Sequence, residues 1–274
     1  MISFLIFGKR QTMRFIQLLF LLVFFQGHSQ TYLDFYFKSK GIDGAIVIYN
    51  ENKDEWIFNK ESEPFTNTPP AAHFHLWMAL VGLQQKVFDV NEKVFLPWDG
   101  VKRAYFDQRK PEWNQNTNLV QALKTQNDWY FAHLKEVLEE KEYQNTIKTN
   151  DFLREINNNK WMYFWNYGAL TNPNTMILFL KDLYENNLPF DAKYQKFLFN
   201  QLLIDHKLAL RTSTTSYMGE KIEWTLGVYF TKEKPVYFSL RTHHSLDEPQ
   251  REDYEKQRNL LIAEIFDALN LNSE

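Results

Sequence analysis

The apolar positions between Pro69 and Phe88 predict one buried helix. Pro69 and Pro70 suit the approach to a helix start. The middle of the segment has almost no polar face, because apolar side chains occur on every side of the predicted helix: Leu76, Met78, Ala79, Leu80, Val81 and Leu83. A helix that is apolar all round belongs in a core, so we expect this helix at the centre of the fold.

Strands and amphipathic helices are predicted on both sides of this central helix. The strands before it form a hairpin, and the segments after it are helical, then extended, then helical again. The predicted strands are Gly44–Tyr49, Glu55–Phe58, Ala209–Ser216, Trp224–Phe230 and Val236–Arg241. The further helices are Leu119–Leu138, Pro173–Glu185 capped by Asn172, Asp191–Ile204 capped by Asp191, and Pro249–Asn270. This order predicts an α+β fold, in which N- and C-terminal helices flank an antiparallel sheet beside a mostly helical subdomain.

The first 29 residues have the pattern of a signal peptide. Lys9, Arg10 and Arg14 precede an apolar core of 11 residues from Phe15 to Phe25. Ser29 places a small residue before a cut at Gln30, so residues 30–274 are predicted to form one exported domain, periplasmic or secreted. The alternative is an uncleaved anchor, but a membrane span needs about 20 apolar residues. No stable membrane span is expected after cleavage.

Charge and composition exclude several classes of partner. Removing the three basic residues of the leader from the 31 in the chain leaves 28 against 34 acidic residues, a net charge of −6. That balance argues against nucleic acid or an anionic membrane surface as a partner. The chain has no cysteine, so its core must supply stability without disulfides.

No cofactor or metal site is predicted. His73 and His75 are two residues apart, so on a helix their side chains point about 200° away from each other and cannot share one ion. His243 and His244 are adjacent near the end of a predicted strand, so they should face opposite sides of the sheet.

The central segment PPAAHFHLWMALVGL closely resembles the active-site helix of class D β-lactamases and related penicillin-sensing domains. In that family a Pro-Ala-Ser-x-x-Lys segment runs into a long apolar helix ending near Gly-Leu. LPWDG at 96–100, Phe164-Trp165 and LRTST at 210–214 match further framework segments in the expected order. The resemblance extends from about Gly41 to His244, and it implies a β-lactamase and transpeptidase-like fold.

The catalytic positions of the family are substituted. The nucleophilic serine corresponds to Ala72 and the lysine base to His75. The serine of the second motif corresponds to Gln126, and the Lys-Thr-Gly strand becomes Ser213, Thr214 and Thr215. Because an alanine methyl cannot form an acyl-enzyme, the resemblance implies a pseudoenzyme without catalytic residues.

The substitution at His75 and a further substitution at Asp128 suggest a linked pair. The family valine that packs against the lysine corresponds to Asp128, and the tryptophan that contacts the lysine corresponds to Trp165. We therefore hypothesise that Asp128 orients His75 and raises its pKa, with Trp165 as a further donor. The alternative is a core histidine with satisfied hydrogen bonds and an Asp128 that serves only as a solvent-facing helix cap.

Three other groups of residues are candidates for chemistry. Aromatic residues between Trp161 and Tyr167 could stack on a glycan or peptide, although clustered aromatics are more often core. Hydroxyls at 213, 214 and 216 could replace the nucleophile only beside a base, and the sequence indicates none. Arg211 and Arg241 could meet a ligand carboxylate in place of the lost lysine, although surface salt bridging is commoner.

Three functions remain open. The first is a non-catalytic protein that binds a cell-wall peptide, glycan or β-lactam-like ligand in the old pocket, which Ala72, His75, Gln126, Asp128, Trp165 and Ser213–Thr215 would line. The second is a hydrolase with chemistry rebuilt around His75 and Asp128. The third is a penicillin-recognising domain of the sensor type.

Overall fold

The computed structural model describes residues 27–29, 31–105, 108–138, 170–247 and 251–271. Its main sheet has six strands in the order β1-β3-β2-β8-β7-β6. The strands are β1 (Gly27–Ser29), β2 (Asp43–Asn50), β3 (Glu55–Phe58), β6 (Leu208–Tyr217), β7 (Glu220–Tyr229) and β8 (Val236–Ser245), and a separate two-stranded ribbon holds β4 (Ala104–Tyr105) and β5 (Gln108–Arg109). The helices are α1 (Asp34–Lys40), α2 (Phe74–Gln84), α3 (Leu119–Thr125), α4 (Asp128–Val137), α5 (Pro173–Glu185), α6 (Ala192–Asn200) and α7 (Tyr254–Ala268).

The predicted antiparallel α+β sheet is confirmed for five strands. Strands β3, β2, β8, β7 and β6 pair antiparallel with their neighbours, and the predicted hairpin joins β2 to β3. The sixth strand, β1, pairs parallel with β3 and comes from the last three residues of the predicted leader. No period-2 pattern marks β1, because three residues are too few to show one.

Each face of the sheet covers its own hydrophobic core. Along β2, Ile46 and Ile48 point to one face and Val47 to the other, as the two-residue period of a strand requires. The first face packs against α1 and α7, and the second packs against α2 and the remaining helices. The sheet therefore lies between a pair of terminal helices and the mostly helical subdomain.

Helix α2 is buried as predicted but shorter. All ten residues from Phe74 to Leu83 are buried, and a 3-10 turn over Ala71–His73 precedes them. The helix ends at Gln84 because Lys86 adopts a left-handed backbone with φ 59° and the N–H groups of residues 87 and 88 bond to the carbonyl of Gly82. A Cβ on Gly82 would lie 2.1 Å from the Phe88 ring, so the chain can fold back only over a glycine.

The long helix predicted from Leu119 to Leu138 is two helices. Gln126 takes a left-handed backbone with φ 53° and ends α3, and α4 starts at Asp128. The helix predicted to Ile204 stops at Asn200, and the Asp191 side chain makes no capping hydrogen bond. The Asn172 cap is confirmed, because its side chain accepts a 2.9 Å hydrogen bond from the backbone N–H of Thr175. Among the described helices, none combines the length and apolarity that crossing a bilayer requires.

Candidate functional site

Three elements bring most of the predicted site residues together. The 3-10 turn before α2 carries Ala72, the junction of α3 and α4 carries Gln126 and Asp128, and β6 carries Ser213, Thr214 and Thr215. The Gln126 side-chain amide donates a 2.6 Å hydrogen bond to the Thr212 carbonyl, which ties the junction to β6. Trp165 and the aromatic run 161–167 lie outside the described residues, so the proposed third partner of His75 stays a prediction.

His75 and Asp128 form the predicted contact. The Nε2 atom of His75 lies 2.9 Å from Oδ1 of Asp128, and the imidazole stacks on the Phe131 ring with centroids 4.2 Å apart. The His75 side chain is 6% exposed, whereas that of Asp128 is 55% exposed. Asp128 is also the first residue of α4, where the helix dipole favours a carboxylate. Asp128 thus both caps a helix electrostatically and orients a buried imidazole.

Asp128 raises the pKa of His75 as predicted, but the net shift is downward. Burial lowers the pKa below its usual value, and this effect outweighs the opposing effect of Asp128, while Arg211 lowers the pKa further. A neutral imidazole donating Nε2–H to Asp128 leaves Nδ1 as an acceptor, and this buried atom has no partner among the described residues. His75 therefore presents a neutral ring at neutral pH.

The variant Asp128→Asn should lower the pKa of His75 further. The carboxylate is what raises that pKa against burial, so an amide in its place removes the stabilisation of the imidazolium. An NMR titration of the His75 ring protons measures the shift. Asp99→Asn is a matched control on an exposed loop and should leave the His75 titration unchanged. An unchanged pKa in Asp128→Asn would remove the proposed coupling.

The structure also places a hydroxyl beside a base, which the sequence did not indicate. The Ser213 Oγ lies 2.5 Å from His73 Nδ1, and His73 Nε2 lies 3.0 Å from the carbonyl of Arg211. Both side chains are buried, with Ser213 3% and His73 0% exposed. The order of hydroxyl, imidazole and acceptor is that of a hydrolase triad, but the two ring nitrogens are exchanged and Nδ1 also lies 3.2 Å from the Pro70 carbonyl.

The electrostatics of this pair oppose nucleophilic catalysis. Burial and the Arg211 charge lower the pKa of His73 to about 3, far below the value near the working pH that suits a general base. A proton taken from Ser213 would create an imidazolium close to a guanidinium, with a neutral carbonyl where a catalytic triad has a carboxylate. The bond therefore satisfies a buried hydroxyl and joins β6 to the start of α2.

Ala72 is held by backbone geometry at the start of the central helix. The preceding Ala71 has φ 52°, a left-handed conformation that costs a non-glycine residue about 1–2 kcal/mol. Such strain persists only where the surroundings enforce it, and it is common at functional sites. On β6, Thr215 is buried and Thr214 is partly exposed. The side chain of Ala72 is a methyl group, so residue 72 supplies no nucleophilic atom at the start of the central helix.

The two candidate arginines have different environments. Arg241 is fully buried and bonds to Glu63, the Thr66 carbonyl and Thr68, so it is neither a surface residue nor available to a ligand. Arg211 is partly buried and donates to the carbonyls of Leu123 and Ala72 at 2.9 and 3.2 Å. Within the described ranges, no three His, Asp or Glu side chains converge in a way that could hold a metal ion.

Comparison with known proteins identifies the family. A model of the penicillin binding protein transpeptidase domain matches residues 44–194, more than half of the chain. The chain belongs to this transpeptidase-domain family. The matched range includes Ala72, His75, Gln126 and Asp128.

Curated relatives of this transpeptidase domain include a methicillin resistance protein and β-lactamases. It is 26% identical over 212 residues to the methicillin resistance mecR1 protein of Staphylococcus aureus, covering 73% of this chain and 34% of the relative. It is 25% identical over 242 residues to β-lactamase OXA-20 of Pseudomonas aeruginosa, covering 86% of each protein. The chain thus spans about a third of the length of the mecR1 relative.

Solved structures support the predicted fold. A class D β-lactamase from Sebaldella termitidis has a TM-score of 0.73 at 24% identity and covers 89% of this chain and 98% of its own. The C-terminal domain of the Bacillus licheniformis BlaR penicillin-receptor has a TM-score of 0.68 at 18% identity, covering 88% and 95%. The predicted fold class is therefore confirmed, and the family match over residues 44–194 confirms the resemblance to the transpeptidase and β-lactamase superfamily.

Proposed function

We propose that this transpeptidase-like domain is an exported, non-acylating protein that binds a cell-wall peptide or β-lactam-like ligand in its former catalytic cleft. The proposal is supported by Ala72, which lies in the 3-10 turn directly before the buried central helix, where the resemblance predicts the family nucleophile. Acyl transfer needs an attacking oxygen or sulfur that is activated by a base, and a methyl group supplies neither.

The groups around Ala72 support binding without chemistry. His75 is neutral and bonded to Asp128, and none of its described contacts is a hydroxyl. Ser213 has a neighbouring imidazole, but the pKa of that imidazole is near 3. Gln126 cannot act as an acid and instead bridges to Thr212. A hydrolase rebuilt around His75 and Asp128 would lack a nucleophile in this arrangement.

A second candidate function is recognition of penicillins in the manner of a receptor domain. The similarity to mecR1 over 73% of the chain and to the BlaR penicillin-receptor domain favours this candidate. It shares the cleft with the first proposal and differs in the ligand. A cell-wall peptide and a penicillin must therefore be tested side by side.

Incubation with a fluorescent penicillin, followed by a denaturing gel and intact-mass measurement, tests the absence of acylation. We expect no adduct and no turnover of a chromogenic cephalosporin, while a class D β-lactamase treated in parallel hydrolyses the cephalosporin. We also expect the melting temperature to rise reversibly with either N-acetyl-D-alanyl-D-alanine or a penicillin, whichever is the ligand. A stable adduct on one residue would refute the proposal, and turnover without an adduct would favour the hydrolase.

Export is a separate part of the proposal with its own measurement. The leader 1–29 predicts a mature protein that begins at Gln30, and this cut would remove β1. Intact-mass measurement of the protein recovered from the envelope and medium locates the N-terminus. A mature protein that retains residues 27–29 would place the cut upstream and keep β1 paired with β3.

A further inference from the structure

We propose that Arg241, Ser239 and Thr171 form an internal hydration site that holds at least one enclosed water molecule. These residues are 0%, 0% and 5% exposed. Each has a buried atom without a hydrogen-bond partner in the described part of the chain: Nη2 of Arg241, Oγ of Ser239 and Oγ1 of Thr171. Buried polar groups are nearly always hydrogen-bonded, and ordered water supplies the partner where the protein does not. None of the three residues belongs to the proposed ligand pocket, so this inference goes beyond the proposed function.

The backbone geometry brings the three side chains to one place. Residues two apart on a strand point to the same face, so Ser239 and Arg241 both face the helical subdomain. Thr68 and Thr171 form an antiparallel bridge with a backbone hydrogen bond in each direction, which sets their side chains beside each other. Because the Thr68 hydroxyl accepts a 2.8 Å hydrogen bond from Nη1 of Arg241, the bridge also brings Thr171 to this guanidinium.

Arg241 has unused donors but no unbalanced charge. Of its five N–H groups, the one on Nε bonds to Glu63, and the two on Nη1 bond to the Thr66 carbonyl and the Thr68 hydroxyl. The two N–H groups of Nη2 remain, and solvent does not reach that nitrogen. Because Glu63 already balances the charge, an added anion would be buried without a counter-charge, so the site favours a neutral acceptor such as water. A water enclosed during folding can reach Nη2, whereas a ligand from solvent cannot.

The sheet around Ser239 and Arg241 supplies no alternative partner. On the same face of the sheet, the cross-strand neighbours of Ser239 are Val47 and Leu226, whose side chains have no polar atom. One cross-strand neighbour of Arg241 is Ala45, whose short side chain leaves space beside the long guanidinium side chain. A water that accepts from Arg241 and donates to both hydroxyls would make about three hydrogen bonds, which is typical of buried water.

The hydration site is connected to the start of the central helix. The guanidinium of Arg241 lies 5.0 Å from the centroid of the Trp224 ring, and Trp224 Nε1 donates a 2.9 Å hydrogen bond to the Pro69 carbonyl. Pro69 leads into the turn in which Ala71 has its left-handed backbone. The enclosed water would therefore fix Arg241 and, through Trp224, the backbone that leads to Ala72.

The variant Ser239→Ala tests the site by the sign of its effect on stability. If a water bridges Ser239 and Arg241, the variant removes one partner of that water. We then expect a lower denaturant midpoint and about one long-lived water fewer, as counted by magnetic relaxation dispersion of the water oxygen. If the site is dry, the variant removes an unpaired buried hydroxyl and the midpoint rises. A raised midpoint or an unchanged water count would overturn the proposal.

Ser216→Ala is the matched control for this measurement. It removes a partly exposed hydroxyl from β6 and should leave the number of long-lived waters unchanged.

A crystal structure of the unaltered protein keeps the test decisive if Ser239→Ala fails to fold. We expect electron density for a water within hydrogen-bond distance of Arg241 Nη2 and of at least one of the two hydroxyls. A soak in sodium bromide separates water from an anion, because bromide gives an anomalous signal. Anomalous density at Nη2, or the absence of any density there, would overturn the proposal.

Discussion

Replacing Arg241 with methionine is expected to lower the free energy of unfolding by about 3–5 kcal/mol. The guanidinium is fully buried, lies 5.0 Å from the Trp224 ring centroid and bonds to Glu63 at 2.5 Å. Methionine preserves much of the volume but leaves the Glu63 carboxylate buried without its counter-charge, together with the Thr66 carbonyl and the Thr68 hydroxyl that Arg241 now satisfies. Denaturant unfolding followed by circular dichroism measures the loss.

Two further variants separate the charge effect from the loss of packing. The double variant Arg241→Met with Glu63→Leu should recover most of the lost stability, because replacing both members of a buried pair with apolar residues is often neutral. Arg251→Met removes an arginine from an exposed pair with Asp253 and should cost less than about 1 kcal/mol. If Arg241→Met lowered the free energy of unfolding no more than Arg251→Met does, the buried ion pair of Arg241 with Glu63 would contribute no more stability than a solvent-exposed ion pair.

The elements that could be predicted from sequence are those whose signal is local. The uninterrupted apolar character of the central helix and the alternation along β7 both depend on neighbouring residues. The break between α3 and α4 was missed because Gln126 takes a left-handed backbone without being glycine or asparagine. Apolar residues recur at helical spacing on both sides of that break, so the pattern alone indicates a single helix.

The site could be predicted only in part, for a physical reason. The contact of His75 with Asp128 followed from the resemblance of two motifs, but the sign of the pKa shift depends on burial, which a motif does not report. The contact of Ser213 with His73 joins residues 140 positions apart. A serine on a strand and a histidine before a helix carry no pattern that pairs them, so only the folded chain reveals the contact.

The free energy of unfolding is expected to fall as the pH is lowered below about 6.5, chiefly because of His73. In the folded state its pKa is about 3, since burial and Arg211 disfavour the imidazolium. In the unfolded state the ring should titrate near its usual value, about 6.5. Between these values the unfolded chain holds a proton that the folded chain does not, so acid favours unfolding.

The expected size is about 1.4 kcal/mol per pH unit for His73, or about 2 kcal/mol between pH 6 and pH 4.5. His75 adds a loss in the same direction. Denaturant unfolding at a series of pH values measures the slope. His73→Gln should reduce the slope of the unfolding free energy against pH by the amount that corresponds to about one proton. His206→Gln changes an exposed histidine and should leave the slope unchanged. A slope that His73→Gln does not alter would mean that the imidazole is solvated in the folded protein, and the argument against Ser213 as a nucleophile would lose its basis.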